Sequence, residues 1–150
     1  MQLAVIEFAR NVCGIEDANS TEFEPTTKNP IIDLMADQKS IINKGGTLRL
    51  GNYECTIERN TLAYKDYKQT KILERHRHRY EFNNKYRQIL EKNGMVFSGI
   101  NESADLVEII ELPEHKHFIA SQFHPEFKSR PDKPAPLFEG LIKAAIERRK

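Results

Sequence analysis

The chain has 150 residues, 39% of them hydrophobic, with no run of about 18 apolar residues; this leaves room for one domain with one core and excludes an apolar membrane-spanning helix. Its 23 basic and 22 acidic residues balance, so no global field selects nucleic acid or an anionic membrane, and any anion site must be local. Two cysteines, Cys13 and Cys55, stand far apart with no CxxC spacing, which fits a reduced cytoplasmic protein rather than a disulfide scaffold or a zinc site.

Residues 2–12 place Leu3, Val5, Ile6 and Ala9 at helical spacing against Glu7 and Arg10, with Gly14 positioned to end the helix. The two charges and the lack of a cleavage motif argue against a signal peptide. Nothing ahead of this helix caps its first amides, because Met1 already lies inside the pattern, and an uncapped start leads us to expect a chain whose own start lies upstream. Apolar residues such as Leu3, Ile6 and Phe118 would then be left uncovered and favour self-association. Residues 15–30 are rich in Asn, Ser, Thr, Glu and Pro and read as a long polar loop over a site or a partner.

Residues 31–35 form a short apolar run that fits either helix or strand, residues 39–44 loop back, and Gly45-Gly46 opens a short strand, Thr47-Leu48-Arg49-Leu50-Gly51. Tyr53, Cys55 and Ile57 alternate with polar neighbours as a second strand, so the two read as a hairpin through Gly51-Asn52. Residues 62–67 make a helical turn or two, and residues 71–82 are extended. Asn83 or Asn84 caps a helix through Lys92 with Tyr86, Ile89 and Leu90 inward, closed by Gly94. Residues 95–100, 106–112 and 117–123 are three strands spaced as antiparallel neighbours. Residues 135–150 make a terminal amphipathic helix with Leu137, Phe138, Leu141, Ile142, Ala145 and Ile146 inward and Glu147-Arg148-Arg149-Lys150 at its wet end. This order of elements gives an α/β domain in which helices cover a sheet.

Three stretches carry candidate chemistry. In Gln122-Phe123-His124-Pro125-Glu126-Phe127 a histidine has a carboxylate two residues on, directly after an apolar strand. Such a histidine takes and returns a proton near neutral pH, and a carboxylate on its far ring nitrogen fixes the tautomer, which makes two thirds of a nucleophilic triad. The plain alternative is a hydrogen-bonded histidine at a strand end. In Arg75-His76-Arg77-His78-Arg79 an extended backbone turns the three arginines to one face and the two histidines to the other. The arginines suit a carboxylate or phosphate, or form a solvated basic strand; the histidines lack further ligands at recognisable spacing, so no metal site is expected. Gly45 to Gly51 lacks the Lys-Ser/Thr of a phosphate loop and reads either as a hairpin or as a loop folding over a ligand.

Together with Met1-Gln2, Asn19-Ser20-Thr21-Glu22-Phe23 and Leu106-Val107-Glu108-Ile109-Ile110-Glu111, these stretches closely resemble the carboxy-terminal glutamine amidotransferase domain of the CTP synthase family. The His-Pro-Glu motif is shared by class I amidotransferases at large; the Arg-His-Arg-His-Arg-Tyr and Gly-Gly-Thr-x-Arg-Leu-Gly runs narrow the match. The resemblance implies a class I glutamine amidotransferase-like, flavodoxin-like (Rossmann-like) α/β layered sheet with flanking helices, here lacking its first strands. It implies a cysteine nucleophile three residues before Met1, in a Gly-x-Cys-x-Gly-Met-Gln turn of which only Met1-Gln2 remains. Cys13, at the far end of the helix, and Cys55, mid-strand, do not substitute for it.

By the same resemblance His124 is the general acid/base, Glu126 its orienting carboxylate, and Met1, Gln2, Glu22 and Arg79 hold L-glutamine. ATP, UTP and Mg²⁺ belong to the absent synthase domain, no cofactor belongs to this segment, and the full-length protein is expected to be a homo-oligomer. The 150 residues alone are then expected to be inactive. Two other functions compete: a noncatalytic remnant that binds glutamine or docks on a full-length homologue, and a small basic nucleic-acid module built on Arg75 to Arg79, against which the balanced charge argues.

Overall fold

The structure, a computed structural model, describes residues 1–34 and 48–149. The expected loop at 39–44 and the glycine pair Gly45-Gly46 lie outside the described residues. Helix α1 (Gln2–Asn11) buries Val5, Ile6 and Ala9, as its spacing predicts, and Phe8, which that reading leaves out; no side chain caps its first amides. Leu3 is 68% exposed, but Ile6 is only 5% exposed and Phe118 is half-buried, so of these three expected open residues only the first is open. Within the polar stretch 15–30 the chain is not loop throughout. Strands β1 (Ala18–Ser20) and β2 (Asn29–Asp33) pair in parallel there, and Arg10 Nε donates to Ala18 O at 2.7 Å, fixing β1 to the end of α1.

Residues 49–57 form one continuous strand, β3 (Arg49–Ile57), instead of the expected hairpin. Its partner is β4 (Lys71–His78), in unbroken register from Arg49↔His78 to Thr56↔Lys71, with Gly51 opposite His76. Gly51 takes φ +100°, a left-handed conformation that a glycine accepts without strain, so the residue that reads as a turn lies inside the ladder. Between the two strands lies the short helix α2 (Leu62–Tyr67), whose Thr61 accepts a hydrogen bond from Tyr64 N.

The same helix is capped from the sheet. Glu111, at the end of β7 (Leu106–Glu111), accepts from the amides of Leu62 and Ala63, both at 2.8 Å, while only 3% exposed itself. Two charge-assisted bonds to otherwise orphaned helix amides are at stake here, so Glu111→Ala is expected to lower stability by about 1–3 kcal/mol. Urea unfolding of the two proteins measures it, and a change within a few tenths of a kcal/mol would show that water replaces the carboxylate.

Strands β6 (Val96–Asn101), β7 and β8 (Ile119–Ser121) are antiparallel neighbours, as their spacing predicts, and complete a five-stranded sheet ordered β4-β3-β6-β7-β8. All six residues of β7 are buried because it has a core on each side. Ile110 packs with Val5, Ile31 and Leu90, whereas Ile109 packs with Cys55, Tyr67, Phe123 and Leu137.

The extended run 71–82 is interrupted. β4 ends at His78, and β5 (Glu81–Phe82) joins β2 antiparallel in a second sheet, β1-β2-β5. Among the described residues there are thus two sheets where one was expected. Asn83 caps a 3-10 turn (Asn84–Tyr86) that continues into α3 (Arg87–Lys92). Leu90 is fully buried, but Ile89 is 37% exposed, so the inward face is narrower than predicted.

Helix α4 (Pro136–Glu147) forms where expected but does not bury its expected face. It packs against α2 through Leu137 and Gly140, where an added Cβ would lie 2.2 Å from the Asp66 carboxylate. Phe138, Leu141, Ile142 and Ile146 remain 40–59% exposed. Contact is set by the close approach at glycine, one edge of the apolar stripe, and not by its centre.

Candidate active site

His124 follows β8, and its amide donates to Arg75 O of β4 at 2.9 Å, which fixes the segment after β8 against the edge strand of the sheet. Pro125 starts a 3-10 turn (Pro125–Phe127) that folds Glu126 back, so His124 Nδ1 meets Glu126 Oε1 at 2.7 Å. Glu126 is slightly buried, which works against its charge, but the hydrogen bond from His124 holds its carboxyl below the usual carboxylate range. A charged acceptor at Nδ1 places the ring proton there and leaves Nε2 with a free lone pair. Phe127 stacks obliquely on the imidazole, ring centres 5.3 Å apart.

A cavity of about 270 Å³ is lined by Gln2, Glu22 and Arg79 together with Leu48, Arg77, His78 and Tyr80. Three of the expected glutamine contacts therefore meet at one place from three separate elements: the first turn of α1, the turn after β1, and the segment leaving β4. Glu22 is held there because its amide donates to Ser20 Oγ at 3.1 Å. Met1 occupies the cap position of α1 and packs on the core without lining this cavity. His124 and Glu126 do not line it either. Arg75 and Arg77 share the exposed face of β4, opposite the buried His76, as alternation predicts, but Arg79 lies beyond the strand end; of the first two only Arg77 reaches the cavity.

Behind the cavity is a buried polar cluster of which the sequence showed only the two histidines. Arg49 Nη1 donates to Glu108 Oε1 at 2.8 Å and Glu81 Oε1 at 3.2 Å, with its guanidinium over the Tyr53 ring at 4.3 Å. His76 Nδ1 lies 2.7 Å from His78 Nε2, and His78 Nδ1 faces Tyr80 O and Glu81 Oε1, each at 3.3 Å. Gln122 Nε2 also lies 3.2 Å from His78 Nδ1, but the Tyr80 carbonyl there can only accept, which assigns the proton to Nδ1; His78 Nε2 then accepts, and His76 Nδ1 donates to it. Burial, with the nearby Arg49 charge, pushes both histidines down to about 3, so the 3.6 Å approach of His76 to Glu108 is not an ion pair.

Burial pushes Glu81 up to about 7 despite Arg49. His76, His78 and Glu108 bring ligand-type atoms within 4.8 Å of one another. The 2.7 Å histidine contact is shorter than the separation of about 3.3 Å that two ligands of one tetrahedral zinc keep, and Arg49 already neutralises Glu108, so the cluster is a hydrogen-bonded one.

Neither cysteine is poised as a nucleophile. Burial pushes both thiols up; Cys55 is fully enclosed in the core, and Cys13 lies beyond α1 near Ile89 O. Among the described residues no helix is long and apolar enough to cross a membrane.

A family model described as glutamine amidotransferase class-I matches residues 1–144. The chain is 59% identical over 146 residues to a CTP synthase of Caldanaerobacter subterraneus subsp. tengcongensis, covering 97% of this chain and 27% of that protein. It is 56% identical over 147 residues to a CTP synthase of Bacillus subtilis, covering 98% and 28%. The chain thus spans little more than a quarter of the length of these relatives. Among solved structures, the glutaminase domain of Trypanosoma brucei CTPS with bound acivicin superposes with a TM-score of 0.91 at 38% identity, covering 98% of this chain and 57% of that one.

Proposed function

The chain belongs to the class I glutamine amidotransferase family, and on that premise we propose that it is the glutamine-binding part of a CTP synthase, with His124 and Glu126 as its acid/base pair. The observation that carries this reading is the 2.7 Å contact between His124 Nδ1 and Glu126. It is supported by the cavity where Gln2, Glu22 and Arg79 meet. Arg79 suits the α-carboxylate of glutamine and Glu22 its α-ammonium group. Gln2 in the first turn of α1 turns the positive end of that helix toward the cavity, which favours a thiolate there.

In the proposed reaction His124 Nε2 takes the proton of a thiol, the resulting thiolate attacks the side-chain amide carbon of glutamine, and the C–N bond breaks as ammonia leaves with that proton. Water then attacks the thioester, giving its proton to the same nitrogen, and glutamate and thiol are released. Glu126 stays charged and stabilises the imidazolium that forms transiently within each step. The ammonia passes to a synthase domain for ATP-dependent amination of UTP, in a cytoplasmic enzyme. The thiol comes from outside these 150 residues.

These residues alone are therefore expected to bind L-glutamine without turning it over. Calorimetry with L-glutamine should give a saturable heat while an ammonia assay stays at background. Ammonia release blocked by iodoacetamide would refute the statement about the thiol, and a flat titration would refute the binding site.

A further inference from the structure

We infer that Gln122 is a positioning residue for glutamine: its side-chain amide holds the two-residue crossover that carries Arg79 and ties it to the segment bearing His124. This rests on the proposed reading of the cavity. β4 ends at His78 in one sheet and β5 begins at Glu81 in the other, so only Arg79 and Tyr80 bridge the two. Both ends of that bridge are fixed by strand register, His78 to Arg49 and Glu81 to Asp33.

Its middle is held at one atom. Tyr80 O accepts from Gln122 Nε2 at 2.8 Å and from Gln2 Nε2 at 3.0 Å. Gln122 Nε2 also reaches Glu81 Oε2 at 3.2 Å. The same nitrogen lies 3.2 Å from His78 Nδ1; an amide has two protons, and with the His78 proton assigned to Nδ1 those of Gln122 go to Tyr80 O and Glu81. Gln122 is only 6% exposed and does not line the cavity, so it acts through Arg79 and not on a ligand.

The other end of the same residue is equally fixed. Gln122 N donates to Glu108 O at 2.8 Å, and one residue separates it from His124, the side chain of that residue, Phe123, being 2% exposed in the core. One buried amide thus connects the crossover that presents Arg79 to the strand end that presents His124. No side chain without two donors at this length can serve both Tyr80 O and Glu81.

The test is calorimetric binding to the 150-residue chain of L-glutamine and of its α-amide, in which a neutral carboxamide replaces the α-carboxylate. The wild-type chain should prefer L-glutamine, and Arg79→Ala should abolish the preference. Gln122→Met, of similar length but without donors, should weaken L-glutamine by roughly tenfold or more while leaving the α-amide nearly unchanged, because what is lost is the aim of a guanidinium at a carboxylate. General loosening of the fold would weaken both ligands alike and would overturn the inference, as would wild-type preference in Gln122→Met. If that variant does not fold, Gln122→Asn, which keeps the amide but cannot span both acceptors, must show the same loss of preference. A wild-type chain that binds neither ligand would overturn the cavity reading and this inference with it.

Discussion

Replacing Arg49 with methionine is expected to cost the folded protein about 3–5 kcal/mol at neutral pH, the range for removing one partner of a buried ion pair. The guanidinium is 8% exposed and stands between Glu81 and Glu108, whose side chains are 3% and 0% exposed. Methionine fills most of the volume but leaves two carboxylates beside each other with His76 and His78, both neutral, as their neighbours. Since whole domains are stable by only about 5–15 kcal/mol, much of the total is at stake. The loss should shrink at lower pH, because each carboxylate can take up a proton and so remove the uncompensated charge. Urea unfolding of the two proteins at pH 7.5 and pH 5.5 measures this; a loss below about 1 kcal/mol at the higher pH would mean the cluster is not held by its cation.

Acid unfolding is the second large effect, concentrated below about pH 4.5. The unfolded chain protonates His76 and His78 near the ordinary 6.5, whereas the folded chain keeps both neutral down to about 3. Between those values the unfolded state holds up to two more protons, so stability falls as pH falls, with a slope of about 2.7 kcal/mol per pH unit for two groups. Carboxyls with raised values act in the opposite sense. Glu81, at about 7 against 4.5 unfolded, binds a proton first in the folded state, and burial raises Glu74 and Glu108 in the same direction. Glu81 offsets one of the two histidine protons between pH 6.5 and 4.5, Glu74 and Glu108 add to it in direction, and the offset ends below that, where the unfolded carboxyls are protonated too. Melting temperature should therefore fall less per pH unit from pH 6.5 to 4.5 than from pH 4.5 to 3.5. Ring protons of His76 or His78 titrating near pH 6 by NMR would contradict the account.

Several elements could be read directly from sequence because their determinants are local. Helix α1 follows from apolar spacing within ten residues, α3 from Asn83 and Gly94, and β6 to β8 from apolar runs separated by short polar turns. The His124–Glu126 contact is of the same kind: two residues apart, with a proline-started turn between them. Alternation along β4 also separated arginines from histidines, and Arg75 and Arg77 are exposed where His76 is buried. The other side chains at the cavity came from resemblance, since nothing near Gln2, Glu22 or Arg79 in sequence signals that they meet.

The errors share one physical origin. Gly51-Asn52 has the composition of a turn, but eight residue pairs with β4 keep the strand straight through it. The apolar stripe of α4 predicted burial that its close approach to α2 at Gly140 does not provide. Residues 71–82 read as one strand because extended backbone looks alike whichever sheet it joins. By itself, then, the sequence determined the local periods, the caps and the paired histidine and glutamate, because these depend on neighbours within a few positions. Tertiary structure alone decided the switch of sheets at Arg79–Tyr80, the Arg49–Glu81–Glu108 cluster and the reach of Gln122 to Tyr80 O. Those depend on desolvation and hydrogen bonding between groups up to 59 residues apart, and no local pattern encodes such partners.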